Sequence, residues 1–232
     1  MLSKPEARQA ILNLVVAHYP REAWSAMLIG TSWAYQEAWT STRDDPRFSR
    51  IPGQCRFRAA QERHFLMENS LAQMAAQAGL TYAGEVVRSN QWAYGMIRTP
   101  GLCLMQKRVQ HGSEPPPADF RKQIVAANSF ARQGDLLVLG DHHAVKEQPL
   151  HGILIHTTES QRFSSEGYGR AAFVRLAVPF GDYSGWAANL DLMEVMAAYP
   201  SKGEAGKPPR TGPAPTWKQP GEQDKDEKSG RG

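Results

Sequence analysis

Cysteine is nearly absent: Cys55 and Cys103 are the only two in 232 residues. Two thiols so widely spaced argue against a disulfide framework and suit reduced side chains in a cytoplasmic protein. No apolar run approaches the roughly 18 residues that a membrane helix needs, so no membrane contact is expected. The stretch from Lys4 to Ala17 imitates a secretory leader only weakly. Glu6 interrupts its basic part, the apolar run from Ile11 is short, and no small-residue cleavage site follows. Charge of one sign is scarce as well. The net charge is +4, and residues 201–232 carry seven Lys/Arg against five Asp/Glu, so half of that excess sits there. The rest of the chain has no general nucleic-acid signature. The phosphate-cradling P-loop, the two-glycine dinucleotide loop and the Gly-x-Ser-x-Gly elbow are all missing. So is any internal repeat. No catalytic residue and no cofactor is therefore expected.

What is present is ordinary globular material, 41% hydrophobic and 22% charged, in a chain long enough to bury a core without staples. Residues 4–39 read as helix in two pieces. Ala10, Ile11, Leu14, Val15 and His18 share one face, Pro20 interrupts, and Ala23, Met27, Trp33 and Trp39 continue, with Gly30 a weak point. Trp24 joins these tryptophans as core by its spacing. Residues 40–54 read as a loop by turn chemistry. A third helix is expected from Cys55 to Ala78, with Phe57, Ala60, His64, Leu71, Met74 and Ala78 inward and Gly79 as its stop.

Beyond Gly79 the period changes. Trp92–Thr99 and Leu102–Val109 flank Pro100-Gly101 as a β-hairpin. A helix over Phe120–Phe130 follows, then β-rich runs at 136–139, 152–157 and 171–178, with Gly167-Tyr168-Gly169 a turn between strands. Asn189 is placed to cap a last helix, Leu190–Tyr199. This order implies an α+β fold: a helical region 1–79 packed with an α+β region 80–200 as one unit, its sheet mostly antiparallel. Residues 201–232, with Trp217 as their single aromatic, bury too little to offset their ordering entropy and are expected to be a disordered tail.

One pentapeptide carries a definite chemistry. Gln133-Gly134-Asp135-Leu136-Leu137 has the Gln-x-Asp-Leu-Leu form by which bacterial proteins dock on the replication sliding clamp. The Gln amide offers two donors and one acceptor, which fix orientation at a pocket edge. Two terminal Leu side chains enter an apolar cleft, worth roughly 3–5 kcal/mol before ordering costs. Asp135 holds the local turn or meets a positive rim. The same residues also read as a turn followed by a buried strand, Leu136–Leu139.

The run Phe120–Leu137, the strand Gly152–His156, the strand Ala172–Pro179 and Asn189–Leu192 together resemble the SocB-type toxin family, over roughly residues 80–200. Leu137 stands where Phe is the stronger form of the motif. The resemblance implies a bacterial toxin that binds the sliding clamp and blocks replication elongation. It also implies an antitoxin acting as a proteolytic adaptor that delivers the toxin to the ClpXP protease.

A different chemistry is offered by Asp141, His142, His143, Glu147, His151 and His156, which lie within 16 residues and are all metal-ligand types. On that reading Asp141, His142, His143 and His151 would serve a metal-dependent hydrolase or phosphoesterase. Pro149 breaks any helix that would align His143, Glu147 and His151. The odd separation of His151 and His156 turns them to opposite faces of a strand. Finally, Arg43, Arg47, Arg50, Arg56, Arg58 and Arg63 concentrate near Asp44, Asp45 and Glu62. They form either a solvated helix start or a surface for phosphates.

Overall fold

A computed structural model describes residues 4–47, 53–87, 92–110, 114–115, 121 and 149–200. By its internal contacts the chain divides into Met1–Tyr199 and Pro200–Gly232, and the fold below is that of the first unit. The expected tail 201–232, the strand-like run 136–139 and the expected helix 120–130 (apart from Arg121, which is helical) lie outside the described residues.

Pro20 separates α1 (Lys4–His18) from α2 (Arg21–Arg43). Proline has no N–H for the helix ladder and its ring crowds the preceding turn, so Pro20 (φ −72°, ψ 149°) stands just before the first turn of α2 rather than inside a helix. Helix α2 does not stop at Trp39. Residues 40–43, expected in a loop, extend it, and the hydroxyls of Thr40, Ser41 and Thr42 turn back onto the helix, donating to the carbonyls of Gln36, Glu37 and Ala38 one turn earlier. Gly30 is buried within α2, where Ser70 Oγ donates to its carbonyl at 3.2 Å.

Helix α3 (Gln54–Gln77) ends where expected. Gly79 has φ +66°, its N–H donates to Ala76 and the Leu80 N–H to Ala75, the paired bonds of a Schellman cap. Its inward face is not the expected one. Leu71 and Met74 are buried, but Phe57 is 67% exposed, and Ala60, His64 and Ala78 are only half-buried. The buried stripe includes Ala59, Arg63, Met67 and Ser70. An arginine and a serine belong to it, and a count of apolar residues cannot see them.

Among the described residues one sheet holds β1 (Thr81–Val87), β2 (Trp92–Arg98), β3 (Leu102–Arg108), β4 (Leu150–Thr158), β5 (Ala171–Pro179) and β6 (Trp186–Asp191) in chain order. Neighbours are antiparallel except β3 and β4, which are parallel. The architecture is α+β, with a mostly antiparallel sheet. The Pro100-Gly101 hairpin is present, and Thr99 Oγ1 closes it by accepting the Leu102 N–H at 3.0 Å. A Cβ on Gly101 would run into the His18 ring.

Two strands are not evident from pattern. In β1, Thr81-Tyr82-Ala83-Gly84-Glu85 lacks clear apolar alternation. In β6, residues expected to lead into a helix pair instead with β5, Leu190 opposite Leu176. The helix that follows, α4 (Leu192–Ala197), is capped by Asp191 rather than Asn189: its carboxylate accepts the Met193 N–H at 2.9 Å.

Helices α1, α2 and α3 cover one sheet face. Ile11, Val15, Trp24, Met27, Met67 and Leu71 pack there with Leu102, Leu104, Leu154, Leu176 and Leu190. Tyr199 ties α4 back to this layer: its hydroxyl accepts from Trp24 Nε1 at 2.7 Å and donates to the Tyr19 carbonyl at 2.6 Å. The other face carries a smaller cluster that includes Met96, Cys103, Met105, Ile153 and Ile155. No helix among the described residues is long and apolar enough to cross a membrane.

Candidate functional site

The clamp-like residues Gln133, Gly134, Asp135, Leu136 and Leu137 lie outside the described residues, as do Asp141, His142, His143 and Glu147. They fall in the connection between β3 and β4. His151 and His156 are both on β4. His156 shares parity with the helix-facing Leu154, and His151 with Ile153 and Ile155 of the opposite face. The expected divergence of the two rings is thus present. Among the described residues no group of three or more His, Cys, Asp or Glu is placed to hold a metal. Both cysteines are free, and burial pushes the Cys103 thiol up, away from nucleophilic use.

Chemistry-bearing side chains converge instead where α2 and α3 cross the C-terminal ends of β3 and β4. On the helix-facing side, β3 reads Leu102, Leu104, Gln106, Arg108 and β4 reads Leu150, Gly152, Leu154, His156. Arg108 stands opposite His156 in the parallel register. Each strand therefore turns from apolar to polar along one face. Helix α2 supplies Tyr35, and α3 supplies Arg63, His64 and Glu68.

The hydrogen bonds define their own polarity. Gln106 Nε2 donates to Glu68 Oε1 at 2.6 Å and meets His64 Nδ1 at 3.0 Å. Its amide orientation is fixed by the carboxylate, which can only accept. Gln106 Oε1 consequently accepts from His156 Nε2 at 2.9 Å. With the proton on Nε2, His156 Nδ1 accepts from the Tyr35 hydroxyl at 2.6 Å. A neutral imidazole is what this pattern requires, and burial, aided by Arg63 and Arg108, holds His156 well below the usual histidine range. Burial likewise raises Tyr35. Burial also raises Glu68, against the opposing bonds from Gln106, the Gly95 N–H at 2.7 Å and Tyr82. Tyr82 in turn is pushed up to about 12, by burial first and then by Glu68.

Arg63 is the unusual member. It is 1% exposed, and its guanidinium lies 4.5 Å from the centroids of both Tyr35 and Tyr168. Nη2 donates to the Tyr168 carbonyl at 3.1 Å. Tyr168 belongs to the 3-10 turn Glu166–Gly169 between β4 and β5. That segment is further pinned by Trp39 Nε1 donating to the Phe163 carbonyl at 2.9 Å. The turn expected from its two glycines is present, and it also delivers a ring to a buried cation.

The arginine-rich stretch is thus not one surface. Arg43, Arg47 and Arg58 pair with Asp44, Asp45 and Glu62, Arg63 turns inward, and Arg50 lies outside the described residues. Sequence reasoning met Arg63, His64 and His156 one at a time but missed Tyr35, Glu68, Gln106, Arg108 and Tyr168. The available signal was the inward parity of Gln106 and Arg108 after Leu102 and Leu104. No family model, no curated protein and no solved structure matches this chain.

Proposed function

We propose that this protein acts by occupying the bacterial sliding clamp, as a replication-inhibiting toxin, through Gln133, Gly134, Asp135, Leu136 and Leu137. The observation that carries this reading is the pentapeptide itself. Its place along the chain is compatible with this reading. It falls between β3 and β4, parallel neighbours that require a crossover connection.

The mechanism is competition. The two Leu side chains take an apolar cleft that polymerase and repair factors also need, and the Gln amide sets the register. No bond is made or broken. An antitoxin serving as proteolytic adaptor, with the ClpXP protease, would then remove the toxin. The test is binding of the purified protein to the sliding clamp beside a Gln133→Ala/Leu136→Ala double variant. Micromolar or tighter binding is expected, lost in a variant that keeps its fold. Equal binding by both forms, or none by either, would refute the reading.

A further inference from the structure

Arg63 and Arg108 flank a single hydrogen bond. Arg63 lies over the Tyr35 ring, Arg108 neighbours His156 across the β3–β4 register, and the Tyr35 hydroxyl joins the two through His156 Nδ1 at 2.6 Å. Both guanidiniums keep buried donors without acceptors among the described residues: Nε and Nη1 of Arg63, and Nε of Arg108. The remaining contacts do not answer the charge. Aromatic faces and a carbonyl hold Arg63, and the amide oxygen of Gln161 takes Arg108 Nη2 at 3.2 Å. Glu68, the carboxylate of this network, is engaged by Gln106, Gly95 and Tyr82.

Two cations beside an imidazole kept neutral, with no carboxylate on either among the described residues, form a region of positive charge inside the fold that those residues do not compensate. Unpaired buried charge is strongly disfavoured, and unmade hydrogen bonds add to that penalty. Water satisfies donors but brings no charge. An oxyanion does both, and arginine donors suit it. Arg108 is only half-buried and reaches the exposed Gln161, so one member of the pair is accessible from solvent. We infer that Arg63 and Arg108 together bind one small oxyanion, a phosphate or a carboxylate, at the polar end of β3 and β4. This inference is independent of the clamp reading, since none of its residues lies in the pentapeptide.

The test uses the full chain, purified without phosphate, with arginine Nε–H signals followed by NMR. Inorganic phosphate and acetate are titrated separately, against sodium chloride at matched ionic strength. The expected result is saturable shifts of the Arg63 and Arg108 signals. Affinity in Arg108→Gln should fall at least about tenfold, the equivalent of one charge-assisted hydrogen bond. Response to phosphate alone assigns phosphate groups, and response to both anions assigns oxyanions generally. Shifts no larger than those in chloride, or undiminished in Arg108→Gln, would overturn the inference. The Arg63 signal in the unaltered chain decides the matter even if the variant does not fold.

Discussion

The two ends of the helix-covered sheet face are built from the same strands but to opposite specifications. At the N-terminal ends of β3 and β4, Leu102, Leu104, Leu150 and Leu154 meet Trp24 and Met27 in a dry layer. Two to four residues further along, Gln106, Arg108 and His156 meet Tyr35, Arg63 and Glu68 in a polar one. The first end draws its stability from apolar area, which tolerates inexact geometry. The second depends on the Tyr35–His156–Gln106–Glu68 hydrogen bonds being made, because a buried polar group left unpaired costs more than a made bond gains. The apolar end therefore supplies most of the stability, and the polar end fixes one arrangement and concentrates positive charge.

The largest effect should come from the apolar end. Trp24→Ala removes a fully buried indole and its bond to Tyr199, and should cost about 3–5 kcal/mol, measured by urea unfolding. Acid should come next. His156 is held far below the ordinary histidine range and His151 is lowered to about 4, so the unfolded chain binds more protons once pH falls below the unfolded value. Stability is then full above about pH 6.5 and declines toward the folded values, by about 2 kcal/mol per histidine between pH 7 and 5. Glu68, raised by burial, works in the opposite direction and offsets part of this. His151→Asn should remove close to half of the histidine contribution.

The polar end should break less severely when a single partner goes. Gln106→Leu leaves the His156 Nε2–H without its acceptor and Glu68 without its amide donor, a loss of about 2–3 kcal/mol. A loss as large as that of Trp24→Ala would show that the two ends do not differ as argued. The smallest effect should be that of Phe57→Ser. Phe57 is 67% exposed, so the change should stay within about 0.5 kcal/mol. A cost of several kcal/mol would restore the inward face expected from sequence.

The gap between sequence and structure has local causes. Pro20, Gly79 and the Pro100-Gly101 turn were legible because their effects act within a few residues, through a missing N–H, positive φ and a reversed chain. Strand β6 was not, since its pairing with β5 is a tertiary bond that displaced the helical reading of Leu190. The buried face of α3 was misread for a related reason: Arg63 is inward only because Tyr35 and Tyr168 approach it from other elements. Of the polar site, the histidine parity on β4 could be read, while its partners on α2 and α3 could not.

The sequence by itself determined the α+β order, the break at Pro20, the stop at Gly79 and the opposite faces of His151 and His156. It also holds the pentapeptide on which the clamp proposal rests. Only the tertiary structure decided that Arg63, Arg108, His156 and Tyr35 share one polar end of the sheet. Those residues are separated by 28 to 121 positions in sequence order from Tyr35, and periodicity reports only which face of its own element a side chain occupies. What stands across from that face is set by packing between elements, and there a buried charge acquires its neighbours.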